Sequence, residues 1–308
     1  MKILVTGALG TLGIPLSKEL RRRGHVVRGI DLFHSLEAER CDIRERRQVH
    51  NVFLDFRPEA VYHLAAEFGR VNGSMFYEQM WSTNVLGTQN IIEDCLAFDS
   101  RLIFASSSEA YGRLADSGVL TEDLLDSVAP EFHNIYALGK WTNERQIRLA
   151  EGLRWVIMRI FNVYGPGEHP NSYRSVVARF LWAKMQRNSE GVTRDAKRQF
   201  LFVDDFVNTA CNIAESSANR VSVNIAGEEC ISIKELADKI GVLYAMTTDP
   251  SNVSSKQADT SLARDLFGHN PVVSLEEGLR RTEEWMDAYY ADYRREAVDV
   301  HVIRKQRD

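Results

Sequence analysis

The chain has only four cysteines in 308 residues, and no two of them form a C-x-x-C pair. They lie far apart, at Cys41, Cys95, Cys211 and Cys230. Structural zinc sites and disulfide frameworks need cysteines at short or regular spacings, so neither is predicted and we expect no bound metal. This cysteine usage is typical of a reducing compartment.

Long apolar runs and an excess of positive charge are also missing. No apolar run approaches the length of a membrane span, and the N-terminus enters a strand without a basic region or cleavage site, so we expect a cytoplasmic protein with no membrane partner. The 38 Lys and Arg against 43 Asp and Glu give a net charge of -5, which offers no basic surface to nucleic acid. The length and a hydrophobic content of 44% fit one large or two modest globular domains.

The first part of the chain has the pattern strand, glycine turn, helix, strand and acid. An apolar run at 2–6 leads into the turn, a helical pattern follows from Ile14, and a second apolar run closes on Asp31. Such a turn lets the backbone approach a pyrophosphate while helix N–H groups point at it. The predicted cofactor contacts in the turn are Gly7, Leu9, Gly10, Thr11, Leu12 and Gly13. The alternative is a tight strand-to-helix turn that binds no nucleotide.

Asp31 distinguishes between the two nicotinamide dinucleotides. A carboxylate at the end of the second strand can accept hydrogen bonds from both hydroxyls of an adenosine ribose. The same carboxylate would repel a 2'-phosphate, so the sequence predicts NAD rather than NADP.

Strands and helices alternate through the first half of the chain, and the alternation loosens after residue 166. Strands are predicted at 60–66, 102–105, 155–161, 200–203 and 221–226, and helices at 45–56, 74–97, 136–151, 175–187, 204–214, 233–240 and 275–290. The helix at 74–97 has a broad apolar face, which favours burial or a subunit interface. His63, at a strand end, is interpreted as structural rather than catalytic.

Tyr136 and Lys140 are four residues apart near the start of a predicted helix and therefore share one of its faces. A lysine ammonium beside a phenol favours the phenolate, so we expect Lys140 to lower the pKa of Tyr136 and make it a usable base. The same spacing occurs by chance in many helices. A serine-rich loop at 106–108, at the carboxyl end of the strand at 102–105, lies where open α/β sheets bind ligands.

Taken together, these motifs resemble those of extended short-chain dehydrogenase/reductases of the nucleotide-sugar epimerase/dehydratase group. The motifs that carry the resemblance are 6–13, Asp31, 42–44, 63–66, Asn84 with 87–88, 107–112, 136–140, 159–166, 198–205, 224–227, 258–259 and 274–279. The resemblance implies an α/β fold, a doubly wound Rossmann sheet with a smaller, discontinuous C-terminal substrate-binding domain. It places the NAD-binding domain at 1–166, with segments near 198–226 returning to it, and the nucleotide-sugar-binding domain at 167–197 and 227–308.

The resemblance also assigns roles to residues. Ser107, Tyr136 and Lys140 would be the catalytic set, with Tyr136 and Lys140 also contacting the cofactor. Further cofactor contacts would be Asp42, Ile43, Leu64, Ala65, Ala66 and Asn84. The nucleoside-diphosphate sugar would be bound by Ser107, Asn162 and Arg198. The loop at 67–72 is richer in polar groups than the usual family loop, so Arg70 could also face an anionic or oxygen-rich sugar. Arg70 has a surface-loop alternative, and the glycine pair usual before Arg198 is replaced by 192–197.

The implied activity is an NAD-dependent conversion of a nucleotide sugar through a transient ketone. Epimerisation is placed slightly ahead on its frequency in the family. A 4,6-dehydratase or a decarboxylase is the alternative, with Glu109 as an extra acid or base and Ser108 beside it. Glu109 could instead bond nearby backbone N–H groups. A non-catalytic NAD-binding protein fits poorly with the intact catalytic set. We also expect a homodimer formed by the helix at 74–97 and the helix starting at Tyr136.

Overall fold

The computed structural model describes residues 1–69, 73, 75–171, 174–193, 196–247 and 255–291. Its strands are β1 Lys2–Thr6, β2 Val26–Asp31, β3 Glu39–Arg40, β4 Ala60–His63, β5 Arg101–Ser107, β6 Val119–Leu120, β7 Trp155–Ile160, β8 Val163–Tyr164, β9 Ser189–Thr193, β10 Lys197–Gln199, β11 Leu201–Phe202, β12 Val221–Ile225, β13 Cys230–Ser232, β14 Leu243–Thr247 and β15 Ser255–Ala258. Its α-helices are α1 Gly13–Arg22, α2 Arg46–Phe56, α3 Tyr77–Trp81, α4 Gly87–Ala97, α5 Leu124–Ser127, α6 Ile135–Leu149, α7 Val176–Gln186, α8 Val203–Glu215, α9 Ile233–Ile240, α10 Ser261–Phe267 and α11 Leu275–Tyr289.

The largest sheet has seven parallel strands in the order β12-β7-β5-β4-β1-β2-β3. The chain winds outward from β1 in one direction through β2 and in the other through β4. Their carboxyl ends therefore flank a crevice at the point where the strand order reverses, which is where such sheets bind ligands. The predicted doubly wound parallel sheet is confirmed.

Helices cover both faces of this sheet, which explains the continuous apolar runs of its strands. Along β1, Ile3 and Val5 face one core, which includes side chains of α1 and α8. Leu4 faces the other core, which includes side chains of α2 and α4. The two cores fix the strand ends that carry the site.

Three smaller sheets lie outside the large one. The first has the order β13-β10-β15-β6, and the others pair β11 with β8 and β14 with β9. β12, at 221–225, pairs with β7 in the large sheet, so a late part of the chain contributes to it. The predicted domain boundaries stay a prediction.

The helix predicted at 74–97 differs from expectation. An α-helix begins at Tyr77, and a π-helical turn over Ser82–Leu86 joins it to α4. Such turns place an extra residue in one turn of a helix and are frequent at functional sites. None of the helices in the described part of the chain is long and apolar enough to cross a membrane.

Candidate active site

The turn after β1 has the geometry that a dinucleotide requires. Gly7 has a φ of +69°, and a Cβ at this position would lie 2.8 Å from the backbone nitrogen of Ala65. A Cβ on Gly13 would lie 2.2 Å from the carbonyl oxygen of Gly7. The backbone N–H of Leu9 donates to Asp31 Oδ2 at 3.0 Å, which places the carboxylate beside the turn. These residues fit NAD. The turn lets a pyrophosphate come close to the backbone, and Asp31 lies where a ribose would be bound.

The buried side chain of His63 contacts the strand residue that precedes this turn. His63 Nδ1 lies 2.8 Å from Thr6 Oγ1, and its Nε2 lies 3.0 Å from Thr88 Oγ1. Burial, together with the Lys140 charge, lowers the pKa of His63 to about 3. The ring is therefore neutral at physiological pH and acts as a structural link between β1, β4 and α4.

Asn84, in the π-helical turn, holds the loop that follows β4. Its Oδ1 accepts from the N–H of Glu67 at 2.7 Å, and its Nδ2 donates to the Glu67 carbonyl at 2.9 Å. The next residue, Phe68, places its ring edge-on to Tyr136 with 6.1 Å between centroids. The Arg174 guanidinium lies 5.8 Å from the centroid of the Phe68 ring. The sequence reading missed Phe68 and Arg174, because nothing local marks a loop residue that packs on a distant helix.

The predicted adenine contacts, Asp42 and Ile43, follow β3. The Asp42 carboxylate is held by the Arg44 side chain, and these hydrogen bonds lower the pKa of Asp42. Ile43 is buried and packs so closely on Gly87 that a Cβ there would lie 2.8 Å from Ile43 Cδ1. Their contact with adenine, like the cofactor contacts of Leu64, Ala66 and Asn84, stays a prediction.

The predicted catalytic set is assembled where α6 begins beside the end of β5. Asn134 caps α6 by accepting from the N–H of Ala137 at 2.8 Å, which fixes Tyr136 in the first helical turn. Tyr136 is hydrogen-bonded to Ser107. Lys140 Nζ donates to the carbonyl of Ala105 at 2.6 Å and lies 5.8 Å from the centroid of the Tyr136 ring. The structure thus brings together the three residues that the sequence predicted.

The electrostatics of this set differ from expectation in one respect. Burial lowers the pKa of Lys140 to about 8, against the opposing effect of the Glu144 charge. Burial raises the pKa of Tyr136, the Ser107 hydrogen bond acts in the opposite direction, and Glu109 raises it further. The pKa of Tyr136 is thus raised and not lowered as predicted, because burial outweighs the Ser107 hydrogen bond.

The Glu109 carboxylate forms an ion pair with a lysine that is distant in sequence. Its Oε1 forms an ion pair with Nζ of Lys256, whose side chain is 4% exposed on β15. Lys256 lies opposite Arg198 in the pairing of β15 with β10, and residues in register project from the same face of a sheet. The sequence reading missed Lys256, since its partner is 147 positions away. The one available signal was a lysine two residues before the 258–259 motif.

The remaining predicted site residues are Asn162, Arg198, Ser108 and Arg70. Asn162 Nδ2 donates to the Gln199 carbonyl at 2.9 Å, which ties the end of β7 to the strand of Arg198. Arg198 is buried and donates from Nη1 to the Lys197 carbonyl at 2.7 Å. Ser108 is buried next to Ser107. Arg70 lies outside the described residues.

Among the described residues there is no cluster of three or more His, Cys, Asp or Glu side chains that could hold a metal ion. The four cysteines are free thiols, and three of them are buried. The candidate site consists of the Ser107, Tyr136 and Lys140 set, the glycine turn and the Glu109–Lys256 pair.

A doubly wound parallel sheet, a glycine turn with an acid after β2 and a Ser, Tyr and Lys set define an enzyme of the NAD-dependent short-chain dehydrogenase/reductase type. Comparison with known proteins agrees, since residues 3–226 match the NAD dependent epimerase/dehydratase family. The chain belongs to this family.

Individual relatives cover nearly all of the chain. It is 28% identical to a UDP-N-acetyl-alpha-D-glucosaminuronate decarboxylase of Bacillus cytotoxicus, over 92% of this chain and 97% of the relative. It is also 28% identical to UDP-glucuronate 4-epimerase 1 of Arabidopsis thaliana, over 98% of this chain and 80% of the relative. Among solved structures, a UDP-glucuronic acid 4-epimerase of Bacillus cereus, in complex with UDP-glucuronic acid and NAD, superposes with a TM-score of 0.84 at 25% identity, covering 94% of this chain and 100% of the other. The protein is an NAD-dependent enzyme of the epimerase/dehydratase group.

Proposed function

We propose that the enzyme acts on a nucleoside-diphosphate sugar that carries a carboxylate on C5, a uronic acid, and decarboxylates it through a 4-ketone. The observation that carries this proposal is the buried cation of Lys256, paired with Glu109 beside the catalytic set. The relatives named above act on UDP-linked uronic acids, which supports the same substrate class.

Two buried cations side by side favour a substrate with more than one anionic group. Arg198 and Lys256 project from the same face of neighbouring strands. Burying a cation is costly unless an anion lies close to it. A sugar diphosphate would add an anion beside Arg198, and a sugar carboxylate would add one beside Lys256, which is linked to the predicted catalytic set through Glu109.

In this reaction the residues of the predicted catalytic set have different roles. The glycine turn and Asp31 would hold NAD, which would supply the hydride acceptor for C4. After its own phenol proton is released to solvent, Tyr136 would take the proton of the C4 hydroxyl as a phenolate, and the positive charge of Lys140 would stabilise that phenolate. Ser107 would donate to the C4 oxygen. The resulting 4-ketone is β to the carboxylate, so the C5–carboxyl bond can break with its electron pair entering the ketone as an enolate.

Glu109 would supply the proton that replaces carbon dioxide. A substrate carboxylate on Lys256 makes two carboxylates share one cation, which raises the pKa of one of them and favours proton uptake by Glu109. The protonated Glu109 would deliver this proton to C5, so that one proton is consumed for each carbon dioxide released. The hydride then returns to C4 and Tyr136 returns its proton to the oxygen.

Epimerisation at C4 of the same substrate is the second candidate, favoured by the two 4-epimerases among the relatives. It requires the keto-sugar to turn so that hydride reaches its other face. A carboxylate fixed on buried Lys256 would oppose this turn, whereas decarboxylation returns hydride to the same face. For this reason we place decarboxylation first.

Product masses test the proposal. The enzyme is incubated with UDP-, GDP-, CDP- and dTDP-linked uronic acids and with the corresponding neutral hexoses. We expect a product that has lost carbon dioxide from a uronic acid, with NAD unchanged overall. An unchanged mass with a shifted chromatographic position would identify the epimerase, and loss of water from a neutral hexose would identify a dehydratase.

We also propose a homodimer formed by α3, α4 and α6. Tyr77, Leu86 and Leu96 are 52%, 51% and 41% exposed, an apolar surface that a second copy would bury. Met80, on the same helix, does not contribute to this exposed surface, because its side chain is 1% exposed.

The dimer predicts a monomeric variant. We expect light scattering to give twice the chain mass for the wild type and for Leu36→Asp, a change at a fully exposed leucine elsewhere on the surface. Leu86→Asp should give the mass of one chain, because it places a charge in the proposed interface. A wild-type monomer at micromolar concentration would contradict the proposal.

A further inference from the structure

One face of α6 contacts the end of β5 through three residues rather than two. Tyr136, Lys140 and Glu144 follow one another at intervals of four and therefore lie along one helix face. Tyr136 bonds Ser107, Lys140 donates to the Ala105 carbonyl, and Glu144 Oε1 accepts from Ser106 Oγ at 2.5 Å. The three contacts fall on three consecutive residues of the strand that carries Ser107.

Glu144 is fixed in place by a buried arginine. Its side chain is 2% exposed, and that of Arg159, on β7, is 0% exposed. Arg159 Nη2 donates to Glu144 Oε2 at 2.8 Å, and its Nε donates to Oε1 at 3.1 Å. Arg159 also donates to Tyr111 Oη at 3.0 Å and lies opposite Ser106 in the pairing of β5 with β7. A bidentate pair of this kind has little freedom to move.

We infer that Glu144 is a positioning residue of the reaction, one that keeps Lys140 charged and holds the Ser107 end of β5 against the helix that carries Tyr136. This inference rests on the proposed function only in assuming that Lys140 must be protonated for turnover. Glu144 would act through Ser106 and Lys140, without touching the substrate or the cofactor.

The charges around Lys140 show why Glu144 matters. Lys140 faces Tyr136 and Glu144 on its own helix, His63 on β4, and the Phe104 ring and the Ala105 carbonyl on β5. Burial keeps the His63 imidazole neutral and the Tyr136 phenol protonated. Among these described groups Glu144 therefore supplies the negative charge, while Arg159 behind it adds a second positive one.

The pH at which activity is lost on the alkaline side depends on the pKa of Lys140. Burial lowers the pKa of Lys140 to about 8, and Glu144 works against that shift. Without the Glu144 charge, the pKa of Lys140 falls further, so the ammonium loses its proton at lower pH. Activity that needs the ammonium is lost as pH rises through this pKa, so the loss should begin at lower pH in a variant without the charge.

The test compares pH profiles of kcat. In Glu144→Gln we expect the alkaline loss of activity to move toward lower pH by about one unit. Glu144→Asp, which keeps the charge, and Ser106→Ala, which removes one hydrogen bond and no charge, should keep the wild-type alkaline limb even where kcat is reduced. An unshifted limb in folded Glu144→Gln, or an equal shift in Ser106→Ala, would overturn the inference.

A second measurement needs no substrate. The titration of Lys140 is followed by NMR on isotope-labelled lysine side chains, with the signal missing in Lys140→Arg giving the assignment. If Glu144→Gln does not fold, the double variant Glu144→Gln with Arg159→Gln is titrated instead, and we expect a smaller shift in the same direction, because loss of the more distant Arg159 charge offsets part of the loss of Glu144. We expect Lys140 to titrate at lower pH than in the wild type, and an unchanged titration overturns the inference. A wild type that converts none of the sugar nucleotides would count against the proposed function alone.

Discussion

Replacing Tyr136 by phenylalanine is expected to abolish turnover while the protein keeps its NAD. The change removes the hydroxyl that bonds Ser107 and would exchange the C4 proton, but it keeps the ring that packs against Phe68 and lies near Lys140. Loss of general acid–base help costs about 10² to 10⁴ in rate. The measurements are kcat on the substrate found in the product screen and the NAD content of the purified protein.

The matched control is Tyr289→Phe, which removes a hydroxyl from a tyrosine that is 60% exposed near the end of α11. It should leave both quantities at the wild-type level. Retained turnover in Tyr136→Phe would remove Tyr136 from the mechanism. Loss of NAD together with turnover would show instead that the hydroxyl is needed to build the cofactor site.

Replacing Lys256 by methionine should discriminate against carboxylated substrates. The variant keeps the length and packing of a buried side chain but removes the cation that we assign to the C5 carboxylate. Truncating one member of a buried charge pair typically costs 2 to 5 kcal/mol, so we expect kcat/KM for the uronic acid to fall by about 10² to 10³. Binding of the corresponding neutral sugar nucleotide should change much less, because it has no carboxylate to lose.

Lys197→Met is the matched control, since Lys197 is an exposed lysine on the neighbouring strand β10. It should leave kcat/KM near the wild-type value. Binding constants for both ligands and kcat/KM for the uronic acid are measured on each variant. Equal weakening of both ligands by Lys256→Met would mean that Lys256 supports the fold of the pocket, and no weakening would remove the carboxylate from the proposal.

The parts of this protein that were predictable from sequence are those whose determinants lie within a few tens of residues. The glycines of the first turn are needed for contacts of their own backbone, and the turn leads to Asp31 through one helix and one strand. The apolar runs of β1, β4, β5 and β7 report burial on both faces, which a parallel sheet covered by helices requires. The shared face of Tyr136 and Lys140 follows from helix periodicity alone.

The secondary structure after residue 166 was harder to predict from the sequence. β9 pairs with β14 across about fifty residues of sequence, and β10 pairs with both β13 and β15. These strands are short, and their pairing depends on partners that local sequence does not specify. The same holds for the π-helical turn, which departs from the regular helix that the apolar spacing predicted.

By itself, the sequence therefore determined the nucleotide fold and the cofactor class, because turn geometry and helix or strand periodicity are local properties of the chain. The resemblance to a family supplied the predicted catalytic set. The tertiary structure decided which charges face that set. It paired Glu109 with Lys256 and Glu144 with Arg159, and it buried Tyr136 deeply enough to raise the pKa that the sequence had predicted to fall. The reason is that desolvation and Coulomb energy depend on distance and burial in space, which only packing of remote segments sets.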